Sequence, residues 1–156
     1  MDIFDAARTN NLKELKILLS SQNVNSTDSR GSTPLIIASY YNNTEALLHI
    51  LSKQADTDIK DHMGNTALMG ACFKGYHDIV SLLLQHKASI DTENGNQATA
   101  LTFAATFGHV SIINLLLDFG SNPLHKDRFN KNPIDYALAM DNAECYELLV
   151  SAIPKK

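Results

Sequence analysis

Apolar residues recur along this chain in paired clusters. Ala46-Leu47 with Ile50-Leu51, Ile79-Val80 with Leu83-Leu84, Ile112-Ile113 with Leu116-Leu117, and Cys145-Tyr146 with Leu149-Val150 each have the spacing of one buried helix face. A shorter apolar run precedes each pair and is centred on Ala38, Ala71, Ala104 or Ala137, alanines that stand 33 residues apart. The pattern predicts two short helices per unit, with alanine small enough to let neighbouring helices approach closely. Polar stretches such as Gln54 to Asp61 are too rich in turn formers and charge to be helical, and predict hairpin loops beside the next unit.

The turns repeat with the same period. Gly31-Ser32-Thr33-Pro34-Leu35 is followed by Gly64-Asn65-Thr66-Ala67-Leu68, Gln97-Ala98-Thr99-Ala100-Leu101 and Asn130-Lys131-Asn132-Pro133-Ile134. Thr33 and its counterparts suit an N-cap, and Pro34 and Pro133 stand at the first helical position, where a missing N–H costs nothing. Gly75, Gly108, Asn42 and Asp141 fall where the first helix must end in a left-handed residue. Residues before Asp28 read as an edited copy with one loop residue fewer: Ala6 precedes Ala38, and Leu18-Leu19 precede Ile50-Leu51, by 32 positions. Glu14 stands there where inner copies carry Ile79 and Ile112, which suits a polar outer face on a terminal unit. A fixed period of this length marks a solenoid whose units cannot bury their apolar faces alone.

Composition narrows the function. The chain has 156 residues, 44% hydrophobic and 19% charged, which is one domain's worth of ordinary globular sequence. Thirteen Lys and Arg against 17 Asp and Glu give a formal net charge of −4, with no basic run to track a phosphate backbone, so nucleic acid is not the expected partner. No stretch reaches the roughly 18 apolar residues of a membrane span, and Met1-Asp2-Ile3-Phe4-Asp5 lacks the charge pattern of a secretory signal. A cytoplasmic protein without a membrane anchor is expected. Cys72 and Cys145 fall at apolar positions and read as buried free thiols.

Candidate chemistry is sparse. Among His49, His62, His77, His86, His109 and His125 no two have the helical spacing of a zinc pair, so solvated or capping roles are expected. Asp91 to Asn96 lacks the glycine and bidentate acid of a calcium loop in their proper places. The cluster of Asp56, Asp58 and Asp61 reads as a solvated acidic loop. No nucleophile elbow, phosphate loop or nucleotide fingerprint occurs, and neither catalytic residue, metal nor cofactor is expected.

The turn, cap and helix residues together resemble the ankyrin repeat, whose signature runs D-x-x-G-x-T-P-L-H-x-A-A-x-x-G-H. Asp28, Gly31, Thr33, Pro34, Leu35 and Ala38 match in one unit, and Asp61, Gly64, Thr66, Leu68, Ala71 and Gly75 in the next. Thr99, Leu101, Ala104, Ala105, Gly108 and His109 match in the third, and Asp127, Pro133 and Ala137 in the last. The signature His is replaced by Ile36, Met69, Thr102 and Asp135, and the turn Gly by Gln97 in the third full unit. The resemblance implies an all-α solenoid of about five repeats: a capping unit over 1–27, full repeats over 28–60, 61–93 and 94–126, and a capping unit over 127–153.

It also implies a monomer that binds another protein through its concave side, by hairpin tips and exposed first-helix positions. Carried to this sequence, the contact residues are Arg30, Tyr40, Tyr41, His62, Met63, Phe73, Lys74, Phe107, Arg128, Phe129 and Met140. Tyr, Phe, Met and Arg are the types enriched at interface centres. The competing reading of each ring is packing against the next repeat. Two outcomes of binding are open: a plain interaction module, or an inhibitor that blocks a partner enzyme.

Overall fold

The computed structural model describes residues 1–155 as five helix pairs. They are α1 (Ile3–Arg8) and α2 (Leu12–Leu19), α3 (Pro34–Tyr40) and α4 (Thr44–Ser52), α5 (Ala67–Lys74) and α6 (His77–Gln85), α7 (Ala100–Thr106) and α8 (Val110–Asp118), and α9 (Pro133–Ala139) and α10 (Ala143–Ser151). Lys156 lies outside the described residues.

Helices of six to nine residues do not persist alone in water, so caps and stacking must hold them. The expected caps form. The hydroxyls of Thr33 and Thr66 accept from the amides of Ile36 (3.2 Å) and Met69 (3.4 Å). Asn132 and Asp135 close a reciprocal capping box at 2.8 and 2.9 Å. At the third full unit the Thr99 amide donates to the Thr102 hydroxyl at 3.1 Å, so the residue in the signature His position supports the cap. First helices end in left-handed residues at Asn10, Asn42, Gly75, Gly108 and Asp141, with φ between 54° and 81°.

First helices pack in sequence order, α1 on α3, α3 on α5, α5 on α7 and α7 on α9, with α2 on α4, α6 on α8 and α8 on α10 behind them. Ala6, Ala38, Ala71, Ala104 and Ala137 form the innermost row, each wholly buried. Units are also tied through polar atoms. Asn43 donates to the Ala7 and Arg8 carbonyls at 2.8 Å, and His109 Nε2 lies 3.3 Å from the Phe73 carbonyl. A Cβ on Gly75 would come within 2.6 Å of the His109 ring, so this turn needs glycine for space as well as for its φ.

The hairpins share one design. Asp28 Oδ1 accepts from the amides of Arg30 and Ser32, and Asp61 Oδ1 from those of Met63 and Asn65, all at 2.9 Å. Asn94 and Asp127 repeat the arrangement. Gln97, in place of the turn Gly, takes φ 59° and closes the same turn, its amide 2.9 Å from the Asn94 carbonyl. The tips are stitched together by backbone bonds from His62 to Arg30 (3.0 Å), Gly95 to Met63 (3.0 Å) and Arg128 to Asn96 (2.9 Å).

Two expectations need correction. Asp58 is not merely a solvated acid: its oxygens accept from the amide and hydroxyl of Ser89 at 2.9 and 2.8 Å, bracing one inter-unit loop against the next. Val150 is not core: it is exposed and no helix pair follows it among the described residues, whereas at the same register Leu51 and Leu84 are buried and Leu117 is half-buried.

Candidate functional site

Hairpin tips and first helices enclose a concave groove of about 910 Å³. Arg30, His62 and Met63 form its hairpin side, Tyr40, Tyr41 and Phe73 stand on the ends of α3 and α5, and Ile36, Ile37, Met69, Gly70 and Phe103 lie between. Short, capped helices hold these side chains at fixed heights, since each α3, α5 and α7 position recurs one unit further along the stack.

Six of the eleven residues proposed from sequence therefore line one groove: Arg30, Tyr40, Tyr41, His62, Met63 and Phe73. Lys74 stands beside it with its ammonium 5.0 Å from the Tyr40 ring centre and 5.9 Å from that of Tyr76. Phe107 extends the aromatic row, edge-on to Phe73 with ring centres 4.8 Å apart. Arg128, Phe129 and Met140 are exposed on the last unit and do not line the groove; the Arg128 guanidinium lies 5.8 Å from the Phe129 ring centre. Packing between units and exposure coexist in these rings. Phe73 contacts Phe103 and Phe107 of the next unit, yet Phe73, Phe107, Tyr40 and Tyr41 all remain exposed.

Sequence reasoning missed the groove floor. Gly70 occupies the register held by Ile37, Phe103 and Tyr136 in other units, and comparing that one column would have exposed it. A Cβ there would meet only Tyr40 Cδ2, at 3.9 Å, so neighbouring atoms do not demand the missing side chain.

The electrostatics are uneven. Arg8 pairs with Asp5, whereas Arg30 and Lys74 make no ion pair among the described residues. Asp28 and Asp61, also at the groove, direct an oxygen into the amides of their own turns. In the last unit the Tyr136 hydroxyl donates to buried Asp127; burial, that hydrogen bond and the charges of Asp127 and Asp135 push the phenol up to about 12.

Burial pushes both thiols up, Cys72 most and Cys145 with help from Glu144, so neither is a poised nucleophile. His86 and His125 contact the Leu82 and Gln97 carbonyls at 2.8 and 3.0 Å. Burial and the nearby Lys53 and Lys16 lower the His49 pKa on α4. Among the described residues no three His, Cys, Asp or Glu side chains converge as a metal site, and no helix is long and apolar enough to cross a membrane.

No curated protein matches the chain closely enough to count as a relative. A family model described as ankyrin repeats in three copies matches residues 3–94 and 86–156, spanning nearly the whole sequence. With helix pairs stacked in order, left-handed helix ends and stitched hairpins all at the register of the repeat, the chain belongs to the ankyrin repeat family.

Proposed function

We propose that this chain is a non-catalytic module that binds a partner protein in its concave groove. Ankyrin repeats are generally protein–protein interaction modules. The observation that carries the reading here is that exposed Tyr40, Tyr41 and Phe73, extended by Phe107, share one groove with Arg30 and Met63, on a backbone stitched unit to unit. Such side chains bury large areas, and a preformed support limits the entropy lost on association. His62 and Lys74 complete the main contact surface, while Arg128, Phe129 and Met140 provide a second contact on the last unit.

The test is to place a photo-crosslinking residue at Tyr41 in one version of the chain and at Gln85, on the convex side, in another. The partner captured in cells is identified, and its affinity is measured for Tyr41→Ala, Phe73→Ala and Gln85→Ala. Loss at Tyr41 and Phe73 with none at Gln85 is expected. The reverse pattern places recognition on the convex helices and overturns the reading.

A further inference from the structure

The floor of the groove is missing a side chain. At Gly70 the backbone of α5 is bare between Tyr40 on one side and Phe73 and Phe103 on the other, although the same register carries Ile37, Phe103 and Tyr136 elsewhere. Gly70 sits inside a helix without a left-handed φ, and a Cβ there would make only ordinary contact with Tyr40. Glycine at such a position weakens the helix and opens space. The consequence is an apolar notch walled by aromatic rings.

Two cations without carboxylate partners flank the groove, Arg30 on its hairpin side and Lys74 at the C-terminal end of α5. Arg30 and Lys74 make no ion pair among the described residues, and Lys74 is held over the Tyr40 ring. Both belong to a chain of formal charge −4, so they are not part of a generally basic surface. Asp28 and Asp61, the nearby acids, are engaged by turn amides.

We propose that the groove takes an acidic, extended segment of a partner protein, with one large apolar side chain in the Gly70 notch and carboxylates on either side of it, one toward Arg30 and one toward Lys74. This rests on the concave-face reading above and adds the chemistry of the ligand. The notch sets position along the stack, because no other unit has a bare residue at that register. The cations set the sign of charge, and their contribution falls as salt is added.

The experiment uses a displayed library of random ten-residue peptides, selected on the immobilised full chain. The expected pool carries net negative charge and a Leu, Met or aromatic residue with Asp or Glu on both sides of it. The most enriched peptide is then synthesised and titrated against the native chain and its variants. Gly70→Leu, which fills the notch, and the double change Arg30→Glu with Lys74→Glu should each weaken binding at least about tenfold, while Lys53→Glu on the convex side leaves it unchanged. Gly70→Ala should raise the unfolding midpoint and weaken binding less than Gly70→Leu, which separates loss of the notch from loss of the fold. An empty selection, a basic pool, or a peptide indifferent to Gly70→Leu and to charge reversal overturns the inference. If that peptide still loses affinity in Tyr41→Ala and Phe73→Ala, the concave-face reading stands without it; indifference to all four changes sinks both.

Discussion

Cys72 and Leu138 hold the same place in their repeats, near the end of the first helix, yet one is wholly buried and the other is 63% exposed. Ser39 and Ala105 share that place and are also fully buried. Each buried residue is covered by a following helix pair, and none follows Leu138 among the described residues. Position within a repeat therefore does not determine burial in a solenoid; the presence of a following unit does. The middle of the stack is held from both sides, and the last unit from one.

The largest expected difference is in stability. Leu83 and Leu116 are fully buried, and truncating either to Ala should cost about 2–5 kcal/mol in a denaturant titration. Leu138→Ser, at an exposed position, should stay within about 0.5 kcal/mol. Comparable losses at Leu138 and Leu83 would mean that something covers the last unit in solution.

Binding should divide along the same line. Tyr41→Ala, Phe73→Ala or Phe107→Ala should weaken the partner complex by about 1–3 kcal/mol with a much smaller change in the unfolding midpoint, as interface anchors do. Met140→Ala, at the open end and away from the groove, should cost less. An equal loss at Met140 would extend the recognition surface over the whole concave face.

Thiol labelling reports on the same asymmetry kinetically. Cys72 and Cys145 are both buried, but a unit held from one side opens more readily. Cys145 should react first, by roughly tenfold, under native conditions. Equal rates would show that the stack opens as one cooperative body.

The smallest effect concerns Tyr136, whose hydroxyl fastens α9 to its hairpin at Asp127. Its pKa is raised from 10.0 to about 12, so the neutral phenol is the form the fold favours. That contribution is present below the unfolded value of 10.0 and fades as pH climbs through about 12. The stability gap between the native chain and Tyr136→Phe should shrink over this window in urea titrations. A constant gap would assign the effect of the hydroxyl to packing alone.

Much of this molecule was legible as sequence because a repeat writes its core several times. Ala38, Ala71, Ala104 and Ala137 announced one packed row, and Thr33, Thr66 and Asn132 announced caps that form as expected. Exposed Tyr41 and Phe107 could be named from their register, but the groove could not. Its floor at Gly70 is a departure from the repeat, and period-seeking reads past departures. Val150 failed for the opposite reason: its spacing is that of core, but no helix pair follows it among the described residues. Tyr136 is the third case, because its bond to Asp127 joins a helix to a loop nine residues away, with no periodic trace.

Gln54, Lys87 and Gly120 all lie just past a second helix, with φ of 60°, 66° and 92°; Gln97 and Asn130 share a turn position with Gly31 and Gly64. The array keeps one backbone path through residues as unlike as glutamine, lysine and glycine. Left-handed geometry favours glycine at such points, so Gln54, Lys87 and Gln97 are sites where robustness can be dialled without touching the aromatic row or the Gly70 notch. Heat tolerance and molecular taste are thereby written at separate addresses, and selection can revise one while leaving the other intact.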